Sequence, residues 1–201
     1  MDLTYIKARD ELLNDDGGTC RQFFSANGYV LETAYYDLLH KRADDAYETF
    51  LSIINTDIRA HWGAFISSLC IDRVKGYPSY LELRNFFEID LQLFVTYGLG
   101  SYVETVCSYA DWLRTINPEV YKFIGRVFLK NGYDDIGLSF LDAGKDYMYN
   151  DPELHFLFAE YYMKQKDFKN AENSVDACLS ILPEYFPAAR LKQILNTDCE
   201  I

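Results

Sequence analysis

The chain has 201 residues, and 31 acidic against 19 basic side chains give it a net charge of −12 and a pI of about 4.6. A surface so short of positive charge is poorly suited to neutralising phosphates, which argues against DNA or RNA as a partner. Hydrophobic residues at 49% and charged ones at 25% match a globular chain with a real core, and 17 Tyr, 14 Phe and 2 Trp beside only 11 Gly and 5 Pro favour helices over a turn-rich β architecture.

The first 26 residues read as a helix from Thr4 to Leu13, a turn over 15–18 and a short second helical piece. Charged side chains at Asp2, Lys7, Arg9, Asp10 and Glu11 leave no apolar segment behind a basic head, so no secretory leader is expected and the chain is expected in the cytoplasm. The Asp15-Asp16-Gly17-Gly18 run invites a calcium reading, but Ala26 stands where the closing glutamate of such a loop belongs, so a solvated loop is expected. Ala34 and Ala46, with Phe50 four residues beyond, place a helix pair within 27–57. From Arg59 to Arg73 the stripe Trp62, Phe65, Ile66, Leu69 and Cys70 has helical period, and Lys75-Gly-Tyr-Pro78 breaks it. Ser79 with Glu82 and Ser101 with Glu104 read as capping boxes that each start a helix, with Tyr97-Gly-Leu-Gly100 as the turn between. The most apolar stretch, 86–99, holds Glu88 and Asp90 and is too short to span a bilayer, so no membrane insertion is expected.

From Pro118 onward the chain repeats itself with a period of 34. Pro118 falls on Pro152, Ile124 on Phe158, Gly125 on Ala159, Phe128 on Tyr162, Gly137 on Ala171, Leu141 on Val175 and Gly144 on Cys178. Each copy reads as a helix, a tight polar link and a second helix. Two such helices approach closely only where small side chains meet, which makes Ala159 and Ala171 the expected crossing. Phe168, Ala171, Val175, Cys178 and Leu182 form one apolar stripe. Asn117-Pro118-Glu119 and Asp151-Pro152-Glu153 supply N-caps with proline at the first helical position. After Pro187, Ala188, Leu191 and Ile194 or Leu195 outline a closing helix over 186–201.

The small, aromatic, aromatic, small, large, small and proline positions Ala159, Tyr162, Phe168, Ala171, Val175, Cys178 and Pro183 resemble a tetratricopeptide repeat. The copy from Pro118 keeps the small and large positions, with Asp134 in place of the turn aromatic and Tyr149 in place of the closing proline; upstream the likeness weakens, and Asp37 sits where an aromatic is expected. The resemblance implies an all-α, right-handed solenoid of about nine to eleven helices. It would form one domain over 1–201: an irregular segment 1–26, degenerate hairpins 27–117, two repeats 118–185 and the closing helix.

The resemblance also implies a concave groove for a peptide or protein, lined in the two repeats by Glu119, Lys122, Arg126 and Leu129, then Glu153, Phe156, Glu160 and Met163. Lys122 and Arg126 resemble the cationic half of a carboxylate clamp whose other half is missing, and two readings stay open for them: pairing with Glu119, Glu153 or Glu160, or contact with a partner. The implied function is a non-catalytic interaction module or scaffold without cofactor. A small acidic secretion chaperone, an enzyme's regulatory subunit and self-assembly as a homodimer remain alternatives.

Signals for chemistry are sparse. His40, His61 and His155 are far apart and lie in no HExxH, and Gly98-Leu-Gly100 lacks the third glycine of a dinucleotide fingerprint. Cysteines 20, 70, 107, 178 and 199 form no CxxC, so reduced thiols and no metal are expected.

Overall fold

The computed structural model describes residues 4–198 apart from residue 16, and the described residues form helices and no strand. The chain divides into two compact units, Met1–Asp111 and Trp112–Ile201, where the sequence reading has a single domain. No helix among the described residues is long and apolar enough to cross a membrane.

In the first unit, α1 (Tyr5–Asp10) is followed by a 3-10 turn at Leu12–Asn14, so the helix expected to run to Leu13 is shorter and tightens at its end. Asp15 then caps α2 (Thr19–Ala26): its two carboxylate oxygens accept the Thr19 and Cys20 amides at 3.0 and 2.7 Å, so this residue of the acidic run serves the backbone. Asp16 lies outside the described residues, as does Cys199. The expected pair within 27–57 is α3 (Val30–Leu39) and α4 (Ala43–Ser52), with Ala34, Ala46 and Phe50 fully buried. Next comes α5 (Ile58–Cys70), capped by the Asp57 side chain on the Arg59 amide.

The Ser79–Glu82 capping box is present and starts α6 (Tyr80–Glu82), which continues through a π turn at Leu83–Phe87 into α7 (Glu88–Thr96). The second expected box is absent: α8 (Gly100–Ser108) begins behind Leu99 with no side-chain cap. The reason lies in the preceding turn. Gly98 adopts a left-handed φ of 65° and the Leu99 amide donates to the Phe94 carbonyl at 2.9 Å, which closes α7 and launches α8 before Ser101 can act as a cap. A short α9 (Ala110–Leu113) follows.

The second unit consists of α10 (Val120–Lys130), α11 (Asp134–Met148), α12 (Pro152–Lys164), α13 (Phe168–Ile181) and α14 (Phe186–Asp198). The turn after α10 holds Gly132 at φ 82° and the turn after α12 holds Lys166 at 60°, each with the following amide bonded back to the helix (Tyr133 to Phe128, Asp167 to Tyr162). Left-handed turn residues thus recur at 98, 132 and 166, extending the 34-residue spacing one step upstream of Pro118.

The helices of each hairpin pack where small residues meet. Ala159 and Ala171 are fully buried in one apolar cluster with Val175, Cys178, Ala188 and Leu195, so α14 closes the face of the last hairpin. At the crossing of α10 and α11, a Cβ added to Gly125 would sit 2.5 Å from Leu141 Cδ2 and 3.0 Å from the Gly137 carbonyl oxygen. Gly125→Ala is therefore expected to lower stability by about 1–3 kcal/mol, because overpacking outweighs alanine's better helix propensity. Urea unfolding checks it, and an unchanged midpoint would refute the crossing.

Candidate functional site

The start of α12 is built around Asp151. One carboxylate oxygen accepts the amides of Glu153 and Leu154 at 2.8 and 3.2 Å, and Pro152 occupies the first helical position, so the cap read from the sequence is made. The matching Asn117 side chain accepts the Glu119 amide at 2.9 Å, but Pro118 and Glu119 form a turn and α10 begins only at Val120.

The other oxygen of Asp151 accepts from Lys122 Nζ at 2.5 Å, and the same ammonium lies 3.0 Å from Glu119 and 3.0 Å from Glu153. The Lys122 side chain is only 2% exposed. Burial alone would lower its pKa; hydrogen bonds to Asp151, Glu119 and Glu153 more than offset this, and the value is pushed up to about 12. Lys122 therefore holds α10 to the N-terminus of α12. This corrects its assignment to the partner-binding groove: an ammonium enclosed by three carboxylates of its own chain does not face a ligand. Arg126 Nη2 lies 2.7 Å from Glu153 Oε1, so of the two readings open for this pair of cations, internal pairing is the one observed.

Beyond this tie two adjoining clefts open, both within the second unit. The first, about 340 Å³, is lined in part by Arg126, Leu129, Glu153, Phe156 and Glu160, five of the groove residues expected from the sequence. The second, about 470 Å³ between α12 and α14, is lined in part by Phe156, Glu160 and Met163. Glu119 and Lys122 line neither.

Phe156 and Glu160, one helical turn apart, form the ridge that the two clefts share. Tyr185 packs edge-on to Phe156 at 5.5 Å, and burial raises the Tyr185 pKa. Burial likewise raises the pKa of Glu160, with Arg126 and Lys130 pulling the other way. Lys164 is tied to Asp134 at 2.6 Å on the wall of the first cleft.

Lining residues beyond the expected eight include Lys130, Tyr185, Phe186 and Arg190. Lys130 follows Arg126 by four residues, and that helical spacing is the signal that could have found it. Tyr185 comes from the link between α13 and α14, where no period operates.

In the first unit, polar groups are drawn inward. Asp37 is fully buried and clamped by Arg21 at 2.8 and 2.9 Å and by Arg42 at 2.7 Å, which explains a carboxylate at a position where the repeat pattern wants a ring. Asp90, also fully buried, accepts from Arg59, Trp62 and Tyr35. The histidines are locally engaged: His40 stacks on Tyr36 at 3.9 Å, His61 meets Glu82 at 2.6 Å, and His155 meets the Tyr149 carbonyl at 2.8 Å. Among the described residues no group of three His, Cys, Asp or Glu side chains is placed to hold a metal ion. No protein-family model, curated protein or solved structure matches the chain.

Proposed function

We propose that this chain is a non-catalytic interaction module that takes a peptide or protein segment into the groove formed by the two clefts. The observation that carries this reading is the convergence of Arg126, Leu129, Glu153, Phe156, Glu160 and Met163 on adjoining clefts, since these are positions that the tetratricopeptide resemblance implies for a groove. An apolar floor of Leu129, Phe156, Met163 and Tyr185 with a few charged groups at its edges suits a ligand that is anchored by side chains and oriented by polar contacts. The tetratricopeptide-like character of the hairpins, the right-handed solenoid, the cytoplasmic location and the exclusion of nucleic acid belong to the same proposal.

Its test uses exposed apolar residues, so that folding is spared. Phe186 and Ile194 line the second cleft and are 74% and 42% exposed, while Ile58 in the first unit is 86% exposed. A stoichiometric partner captured by the tagged chain is expected to be lost with Phe186→Asp plus Ile194→Asp and kept with Ile58→Asp, at unchanged circular dichroism. Capture that survives the cleft substitutions would overturn the groove as the binding site.

A further inference from the structure

The charges around the groove are matched on the chain itself. Three cations, Arg126, Lys130 and Lys164, line the first cleft together with three carboxylates, Asp134, Glu153 and Glu160. Arg126 is bound to Glu153 at 2.7 Å and Lys164 to Asp134 at 2.6 Å, while Arg126 and Lys130 both favour the ionised form of Glu160 against its burial. The second cleft holds one charge of each sign, the same Glu160 and the water-exposed Arg190. A chain of net charge −12 thus presents a groove whose two linings carry no net charge. A ligand charge of either sign would have to leave water there without gaining a counter-ion that is not already matched, and that transfer is unfavourable.

The groups left for a ligand's polar atoms are neutral. Tyr161 and Tyr185 line the first cleft, and neither hydroxyl makes a hydrogen bond among the described residues. A phenol both donates and accepts, so it suits the N–H and C=O groups that any peptide backbone carries, whatever its side chains. The remaining surfaces are apolar: Leu129 and Leu157 in the first cleft, Met163, Leu191 and Ile194 in the second, and the Phe156 ring on the ridge that divides them.

Resting on the groove reading above, we propose that the occupant is an uncharged segment of a partner protein that seats one bulky apolar side chain in each cleft, with no charge between the two anchors.

The experiment is a fluorescence-anisotropy titration of the full chain with three labelled peptides that share a Leu and a Phe anchor and differ only in the residue between them, Met, Lys or Glu. The Met peptide is expected to bind about tenfold more tightly than either charged one, because both signs lose solvation without a free partner in the groove. Its affinity is expected to fall by less than about threefold between about 50 and about 500 mM NaCl, since no unmatched charge contributes to it. Phe186→Asp plus Ile194→Asp is expected to abolish its binding at unchanged circular dichroism. A Lys or Glu peptide that binds as tightly as the Met peptide, a steeper loss with salt, or Met-peptide binding that survives the two substitutions would each overturn this inference. Binding of no peptide would overturn it as well, leaving the groove in place where partner capture still depends on Phe186 and Ile194 and overturning both readings where capture survives their substitution.

Discussion

Lys122→Met is expected to lower the stability of the Trp112–Ile201 unit by about 3 kcal/mol. The substitution keeps the aliphatic stem and removes the ammonium, which leaves Glu119, Asp151 and Glu153 drawn together without their shared cation. Removing one member of a buried ion pair costs about 3–5 kcal/mol, because the partner charge stays behind in a poorly solvated place. The low end applies here, since Glu119 and Asp151 retain 25% and 19% side-chain exposure and Glu153 keeps Arg126.

Because the folded-state pKa of Lys122 is raised, its contribution is fully present below the ordinary lysine value and disappears only as pH climbs through about 12. The loss should therefore appear undiminished at neutral pH. For a unit of this size thermal unfolding should show a midpoint lower by roughly 12–24 °C. Adding Glu119→Gln to Lys122→Met should recover part of the loss, whereas in the wild-type background Glu119→Gln should destabilise. Additive effects in that cycle would refute the carboxylate cage.

The same cage shows where reading the sequence stops. Period, small residues and caps are local signals, and they placed the hairpins well: Gly125 against Gly137, Ala159 and Ala171 in one cluster, Asp151 as an N-cap and Ser79 with Glu82 as a box. The Ser101–Glu104 box has the same local pattern as its counterpart and fails, because the left-handed turn at Gly98 had already fixed where α8 starts. Of the groove, the positions on the first helices were legible only through the tetratricopeptide resemblance, which says which face of those helices lines it. Whether a charge on that face meets a ligand or its own chain was not legible, since Lys122 and Asp151 are 29 residues apart and no period connects them.

Asp37 and Asp90 carry the lesson further. Each reads as an intrusion in an apolar pattern: Asp37 stands at an expected aromatic position, and Asp90 interrupts the most apolar stretch of the chain. Both are buried hubs, with partners on other helices that supply the missing solvation. A carboxylate inside an apolar stripe is a signal that donors must come from elsewhere, but composition does not say which donors.

For Asp90 the expectation is quantitative. Asp90→Ala is expected to cost about 3–5 kcal/mol, comparable to or above the effect at Lys122. The carboxylate accepts from Arg59 Nη2 at 2.5 Å, Trp62 Nε1 at 2.6 Å and Tyr35 Oη at 3.0 Å, joining α3, α5 and α7. Arg59 Nε donates in addition to the Tyr35 oxygen at 2.6 Å, and its guanidinium lies over the Tyr35 and Phe86 rings at 4.8 and 5.0 Å. Burial pushes the Asp90 pKa up, while Arg59, Trp62 and Tyr35 pull it back. Alanine would leave the fully buried Trp62 indole N–H without its acceptor and would take the carboxylate from the Arg59 guanidinium, which is 24% exposed and keeps only the Tyr35 oxygen.

Asp90→Asn separates charge from hydrogen bonding. The amide oxygen can still accept from Trp62 or Tyr35, but the pairing with Arg59 becomes a neutral one, so the loss should fall to roughly half that of alanine. Denaturant midpoints of the two variants decide it. Alanine and asparagine variants equally close to the wild type would show that Asp90 is dispensable to the packing of α3, α5 and α7.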